Sequence, residues 1–402
     1  TGIGVRRSTG QHPGGIVVLP LGENINSFTP VQHPANDMST PIITTHFDYH
    51  SIDHNLLKLD ILGHDDPTMI RMLEDLTGVN AQGIRLDDEK VLSLFNGLMA
   101  LEIEAKDLDG YDLGSLGVPE FGTEFVMQML RETNPKTFSD LVRISGLSHG
   151  ADVWTGNAQT LIAEGKCELK NAICTRDDIM IYLIDMGLEP GHAFKIMESV
   201  RKGKGLTPEW EQEMTEHNVP DWYIWSCKKI QYMFPKAHAA AYVMMGFRIA
   251  YFKVYYPLAY YSAFFSIRAK AFDYGLFCFG KEKLLSVIKD IKKVEKRHRN
   301  KKDEDVLGDA YIVLEMYARG FEFMPIDIYR AKPKQFQIID NKIMPSLVSI
   351  EGLGDKAAYA LYEAAKKGKF LSKDDLKQRA KGTTQTAIDK MTELGIINEL
   401  PN

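Results

Sequence analysis

In the run LLKLDILG, Leu56 to Gly63, an aspartate stands two residues from a lysine inside an apolar stretch. On a strand, alternate side chains face opposite sides, so Leu57, Leu59 and Ile61 line one face while Lys58 and Asp60 share the other. A carboxylate presented from a rigid strand suits Mg²⁺, a hard cation that takes one or two carboxylates together with substrate phosphates. The same spacing also suits a structural Asp60 satisfied by backbone or by Lys58. Just upstream, THFDYHSIDH places His46, His50 and His54 four residues apart, with Asp48 and Asp53 nearby. On a helix that spacing builds a zinc site. Thr44, Thr45, Phe47 and Tyr49 favour a strand instead, on which residues i and i+4 lie roughly 13 Å apart, so ordinary polar histidines are expected.

Three further segments carry donors for an anion. RRSTGQHPGG combines Arg6, Arg7 and His12 with a Gly-rich turn feeding a strand, either an anion cradle or a solvated turn. AFKIMESVRKGKGL puts Lys195, Glu198 and Lys202 on one helical face with Arg201 beside them, and Gly203 and Gly205 end the helix in a basic turn. FPKAHAAAYV then opens a small-residue helix with Lys236 and His238 in its first turn, where N–H groups can converge on a phosphate. Upstream, CTRDDIM sets Arg176 directly before Asp177 and Asp178. Each of these alone is ordinary surface charge; together they describe a helical region with several phosphate-competent edges.

The sharpest pattern is SIEGLGDKAAYAL, with Ile350, Gly352, Leu353, Gly354 and Ala358 in the places of a helix-hairpin-helix. The two glycines let the hairpin backbone approach a phosphate, and the amides opening the next helix bind it. LSKDDLKQRAKGTTQTAIDKMTELGII reads as a degenerate second copy turning at Gly382. Lys366 to Lys381 holds seven basic residues against two acids, so sequence-independent contact with a DNA backbone is the natural use, with Lys356 and Lys381 flanking the turns. A purely structural αα-hairpin is the alternative.

These groups need elements to hold them. The chain has 402 residues, 44% hydrophobic and 25% charged, an ordinary globular composition that argues against disorder. Short apolar runs bounded by Gly and Pro predict strands at GGIVVLP and LLKLDILG. From Asp66 the period turns helical, with Asp66 as N-cap, Pro67 at the first helical position and Gly78 at the end. Helices punctuated by glycine follow to about Arg268, with SGLSHG (Ser145 to Gly150) as one loop. KEKLLSVIKDIKKVEKRHRNKK predicts one amphipathic basic helix with Leu284, Val287, Ile291 and Val294 as its stripe, and FQIIDNKIMP a hairpin over Asp340-Asn341. The fold class is therefore mainly α with a small α+β part.

A net charge of −6 counts against a nucleic-acid binder when taken alone. Locally it does not: Arg85 to Asp112 carries three basic and eight acidic residues, whereas Lys281 to Lys302 carries ten basic and three acidic. Four cysteines without a C-x-x-C pair fit a reducing compartment. No signal peptide is read at the N-terminus, and the chain does not open with Met, which suggests a piece of something longer. The apolar stretch from Ala239 to Phe265 is broken by Arg248, Lys253 and Pro257, so a membrane span is not expected.

Read in order, TGQHPGGIVVLP, THFDYHSIDHNLLKLDILGHDDPT, PEFGTEF, ISGLSHGADVW, CTRDDIM, FKIMESVRKGKGL and MFPKAHAAAYV resemble the C-terminal part of PolC-type DNA polymerase III alpha subunits, the C-family bacterial replicases. The resemblance covers nearly all of the chain. It implies the C-terminal part of a polymerase-β-like palm over 1–65, a helical fingers domain over 66–270, a basic helix and hairpin connector in the duplex-binding region over 271–340, and a tandem helix-hairpin-helix over 341–402. It implies transfer of deoxynucleotides to a primer 3′-hydroxyl with two Mg²⁺ ions, for which Asp60 is the third palm carboxylate; the other two come from a D-x-D strand not present here. Arg176, Arg201, Lys236 and His238 become the expected grip on the triphosphate, with Lys195 and Lys202 close behind and Ser145, Ser148 and His149 lining the nucleotide pocket. Arg6, Arg7 and His12 are expected near primer or nucleotide, and Gly352, Gly354, Lys356, Lys381 and Gly382 on the DNA backbone.

Implied partners are primer-template DNA, dNTP, replisome subunits and the sliding clamp, whose binding tail is not found before the chain stops at ELPN. The implied location is the bacterial cytoplasm, at the nucleoid. The text around Asn96 to Gly117 departs from the family and carries nothing over. Two other readings stay open: a non-enzymatic, sequence-independent DNA-binding module, and a His-dependent metallohydrolase.

Overall fold

The structure, a computed structural model, describes residues 8–12, 14–61 and 63–401. The chain divides into two compact units, Thr1–Asp65 and Asp66–Asn402. In the first, strands β1 (Gly15–Val18), β2 (Val31–Gln32), β3 (Thr44–Thr45) and β4 (Leu57–Asp60) form two antiparallel ribbons, β1 with β4 and β2 with β3. The β1–β4 register pairs Gly15 with Asp60, Ile16 with Leu59, Val17 with Lys58 and Val18 with Leu57. Ile16, Val18, Leu57 and Leu59 thus share one face, as the alternation predicts, and all four are exposed. The histidine run is not a continuous strand: β3 ends at Thr45, and Tyr49–Ser51 is a 3₁₀ turn capped by Asp48.

The second unit is mainly α. Its helices are α1 (Asp65–Thr77), α2 (Glu89–Ser93), α3 (Glu124–Thr133), α4 (Phe138–His149), α5 (Gln159–Ala163), α6 (Arg176–Asp185), α7 (Pro190–Arg201), α8 (Pro208–Glu216) and α9 (Asp221–Lys229). The long α10 (Lys236–Tyr255) follows, then α11 (Pro257–Ala263), α12 (Tyr274–Phe277), α13 (Lys281–Lys292) and α14 (Lys301–Ala318), and, after the hairpin β5 (Gln337–Ile339) and β6 (Lys342–Met344), α15 (Asp355–Lys366), α16 (Lys373–Arg379) and α17 (Gln385–Glu393). Asp340 and Asn341 carry φ of 50° and 58°, which makes the predicted turn between β5 and β6 a type I′ turn. Among the described residues, no helix is long and apolar enough to cross a membrane.

Three local expectations are corrected. Asp66 is not an N-cap: α1 begins one residue earlier, and the buried Asp66 carboxylate takes an ion pair from Arg268. SGLSHG is not a loop but the last turn of α4, because Gly146 serves packing rather than a turn: a Cβ there would lie 2.6 Å from the Cys174 carbonyl oxygen. The basic helix stops at Lys292, leaving Val294 exposed, and Asn300 caps a new helix through its side chain at Asp303 N–H (2.8 Å). That helix, α14, is largely buried from Val306 to Met316, and it joins α13 in the core that α1 to α11 also fill.

The C-terminal segment forms a separate core around Leu353, Ala358, Leu361, Ile388 and Met391. It is a structural repeat at an offset of thirty residues. Gly352 and Gly382 turn the two hairpins at φ of 84° and 92°, Gly354 and Thr384 cap α15 and α17, and Leu361 and Met391 are fully buried at matching places. A Cβ on Gly352 would lie 3.8 Å from the Ala387 backbone and one on Gly382 3.9 Å from the Ala357 Cβ, so each hairpin packs on the first turn of the other copy's helix.

Candidate functional site

In the first unit Asp60 ends β4 with its side chain 54% exposed and Lys58 Nζ 3.5 Å away. Its partner Gly15 is covered by the His12 ring, whose Nδ1 accepts the Gly14 N–H at 3.2 Å, and by the Lys58 stem. An imidazole, an ammonium and a carboxylate therefore share one end of the ribbon. His12, Gly15 and Lys58 also line a cleft of about 780 Å³ with His46, Tyr49 and His50. Arg6 and Arg7 lie outside the described residues. As an exposed hard oxygen donor Asp60 suits a divalent cation, but among the described residues no group of three or more His, Cys, Asp or Glu could hold one. Asp60 fits as one ligand of a larger set, not as a complete site.

The helical unit gathers most of its predicted cations around one short segment, Gln231 to Lys236. Ala151, just after α4, exchanges backbone hydrogen bonds with it: Ala151 N–H to Tyr232 C=O at 2.9 Å and Gln231 N–H to Ala151 C=O at 3.1 Å. The Met233 N–H donates to the Arg201 carbonyl at the end of α7 (3.3 Å), and the Arg176 N–H at the start of α6 donates to the Phe234 carbonyl (3.1 Å). Gly203 is what lets the basic turn approach, since a Cβ there would meet Gln231 O at 2.6 Å. Side chains continue the assembly. The His149 ring stacks on Phe234 (centroids 4.8 Å apart, 22° between planes), and Phe234 meets His238 edge-on at 4.9 Å.

Ser145, Ser148 and His149 form a knot at the end of α4. His149 Nδ1 lies 2.8 Å from the Ser145 carbonyl oxygen and 3.0 Å from Ser148 Oγ, and Ser145 Oγ points to Glu120 Oε2 at 3.5 Å. Several of the cations are already paired. Glu198 takes a two-pronged contact from Arg201, with Nη2 at 2.8 Å, and a second from Lys202 at 3.0 Å. The Arg201 hydrogen bonds hold the Glu198 carboxyl down at about 2. Lys236 Nζ lies 3.2 Å from Asp178, and its backbone N–H donates to Asp177 at 2.7 Å. Among the described residues neither Arg176 nor Lys195 has an ion pair, and Lys195 is exposed on α7.

At the C-terminal repeat the hairpin residues Gly352, Gly354, Lys356, Lys381 and Gly382 are all exposed. Gly354 brings no side chain to the first turn of α15, whereas Thr384 Oγ1 accepts the Ala387 N–H at 3.2 Å. The basic helix is less free than its charge count implies, because the acidic loop packs on it: Lys292 Nζ lies 2.7 Å from Asp109 and Lys281 Nζ 4.0 Å from Asp107.

Sequence reading did not single out Phe234 or Glu120, which tie the cluster together, and it named Asp177, Asp178 and Glu198 beside the cations without assigning them as their counter-charges. The i, i+3 and i, i+4 spacings from Glu198 to Arg201 and Lys202 were the signal for that pairing; none announced the partners of Lys236.

Comparison with known proteins now bears on this arrangement. The family profile for the bacterial DNA polymerase III alpha subunit finger domain matches residues 66–219, and that for the bacterial DNA polymerase III alpha NTPase domain matches 1–63. A helix-hairpin-helix motif profile matches 320–402. These define a piece of a bacterial DNA polymerase III alpha chain. The chain is 52% identical over 398 residues to the PolC-type DNA polymerase III of Caldanaerobacter subterraneus, and 52% identical over 399 residues to that of Bacillus subtilis. It belongs to the PolC-type DNA polymerase III family. Each alignment covers 99% of this chain but 28% of the relative, so the chain spans a little over a quarter of the length of the curated relatives it matches.

Proposed function

We propose that this chain is the nucleotide-gripping and duplex-holding part of a DNA-directed DNA polymerase of chromosomal replication: the edge of the palm to residue 65, fingers over 66–270, a connector over 271–340 and a tandem helix-hairpin-helix over 341–402. The observation that carries the reading is the convergence of α4, α6, α7 and α10 on Gln231 to Lys236, which brings Arg176, Arg201, Lys236, His149 and His238 into one neighbourhood. Guanidinium groups suit bidentate contact with a triphosphate and lysine a point charge. The stacked rings of Phe234 and His149 suit an incoming base or sugar.

Arg176, without an ion pair, is the cation ready to meet phosphate; Arg201 offers the Nη1 side that Glu198 leaves open. Lys236 would exchange its Asp178 contact for phosphate. On the palm edge, Asp60 would hold one of two Mg²⁺ ions whose remaining ligands lie in other parts of the polymerase. When bound, those ions neutralise charge on the transferring phosphoryl group and on the leaving pyrophosphate. The exposed hairpins of the C-terminal repeat would hold primer-template duplex through its backbone. Replisome subunits and a sliding clamp are the further partners, and the bacterial cytoplasm at the nucleoid the place of work.

The test is Arg176→Ala in the full-length protein, followed by single-nucleotide incorporation. The reading expects the KM for dNTP to rise by at least about tenfold, the worth of one charged hydrogen bond, with primer-template affinity unchanged. An unaltered KM would contradict it.

A further inference from the structure

The loop before α3 turns at Val118 to Phe121, closed by the Phe121 N–H on the Val118 carbonyl (3.2 Å), with Pro119 and Glu120 at the corner of a type II turn, whose third residue takes a positive φ. Glu120 sits at φ 72°, in the left-handed region that a side chain of its kind rarely adopts. The loop is pressed against α10, where Gly246 allows the Pro119 carbonyl to approach: a Cβ at Gly246 would lie 2.8 Å from it. The conformation aims the Glu120 carboxylate at the end of α4. There Oε2 lies 3.3 Å from His149 Nε2 and 3.5 Å from Ser145 Oγ, with the Glu120 side chain only 13% exposed.

The other nitrogen of the same ring, Nδ1, meets the Ser145 carbonyl, to which it can only donate. His149 is therefore held at both nitrogens and backed by Phe234, while 39% of its side chain stays open to solvent.

We infer that Glu120 is a positioning residue for the incoming nucleotide: it fixes the His149 ring on Phe234 so that the exposed part of the imidazole meets the dNTP. This rests on the reading of His149 as part of the nucleotide pocket. Glu120 does not touch substrate itself; it acts through His149.

The turn supplies its own control. Glycine accepts φ 72° without cost, so Glu120→Gly removes the carboxylate while relaxing the backbone. In the full-length polymerase, single-nucleotide incorporation would be measured for Glu120→Gly, Glu120→Gln, His149→Ala and the double variant Glu120→Gly/His149→Ala, with thermal melting alongside. Glu120→Gly should raise the KM for dNTP about tenfold, as loss of a hydrogen bond to a charged group does, with kcat changed by less than about threefold and a melting temperature equal to or above that of the parent. Glu120→Gln, which keeps an oxygen toward Ser145 and His149, should recover part of the KM. The double variant should be no worse than His149→Ala. A raised KM in His149→Ala beside an unchanged KM in both Glu120 variants overturns the inference alone, and so does additivity in the double variant. An unchanged KM in His149→Ala removes the pocket reading of that histidine and the inference with it.

Discussion

Lys253 Nζ lies 2.9 Å from the Glu315 carboxylate with both side chains wholly buried. It also donates to the carbonyls of Gly114 (2.8 Å) and Leu116 (2.5 Å), and the Tyr261 hydroxyl donates to Glu315 Oε1 at 2.7 Å. The contact pins α10, which presents Lys236 and His238 at its far end, to α14 and to the loop before Glu120. Removing one partner leaves an uncompensated buried charge, at a cost of about 3–5 kcal/mol. Lys253→Ala should therefore lower the urea midpoint steeply, whereas the exposed Lys195→Ala should change stability by less than about 0.5 kcal/mol. Equal midpoints for the two variants would contradict this account of how α10 is held.

Glu198 gives a second, pH-resolved expectation. Its carboxyl sits at about 2 in the folded chain, chiefly through the Arg201 hydrogen bonds, against 4.5 for the free group. A depressed carboxyl contributes stability that is fully present above pH 4.5 and is lost as pH falls through about 2. Glu198→Ala should cost about 1–2 kcal/mol at pH 7, allowing for partial exposure, and the difference from the parent should shrink steadily below pH 4.5 in thermal melts. A difference that holds constant to pH 2.5 would place the effect outside this ion pair.

Asp309 carries the opposite sign. Burial pushes its carboxyl up to about 6, although Oδ2 accepts the backbone N–H groups of Lys270 (2.9 Å) and Ala271 (2.7 Å). The folded chain then binds more protons than the unfolded one between about pH 4 and 6, so ionising this group lowers stability as pH rises through that window. Asp309→Asn keeps an oxygen for both amides without the buried charge. It should raise stability by about 1–2 kcal/mol at pH 7 and leave it unchanged near pH 4. A loss of stability at pH 7 would show that the ionised form is needed.

How much of this was legible in the sequence depended on whether the cause was local. The turn at Asp340-Asn341, the β1 and β4 alternation and the hairpins at Gly352 and Gly382 were readable, because backbone geometry there is dictated by adjacent residues. The end of the basic helix at Lys292 was not, since the apolar period runs on to Val294 while Asn300 caps a fresh helix. Nor were the partners of the cations. Asp177 and Lys236 are 59 residues apart, and no spacing rule announces that a helix N-terminus open to an anion already holds a carboxylate. Gly146 misled for the same reason: its purpose is the approach of Cys174, which lies outside any local window.

At the C-terminal repeat, Lys356 and Lys381 stand at matching hairpins and are exposed. Contacts to a DNA backbone predict a uniform effect: each Lys→Ala change should weaken duplex binding alike for unrelated sequences and reduce the slope of log affinity against log salt by about one. Binding isotherms at several salt concentrations read this directly. A sequence-selective loss would contradict backbone contact.

The proposed nucleotidyl transfer would make Asp60 one of the acidic ligands of the metal ions. The measurement that tests it most directly is single-nucleotide primer extension at saturating dNTP and Mg²⁺ by the full-length protein carrying Asp60→Asn. A fall of roughly three orders of magnitude is expected, the loss that follows when several kcal/mol of transition-state charge stabilisation disappears, with primer-template binding retained. Extension within a few-fold of the parent rate would contradict it.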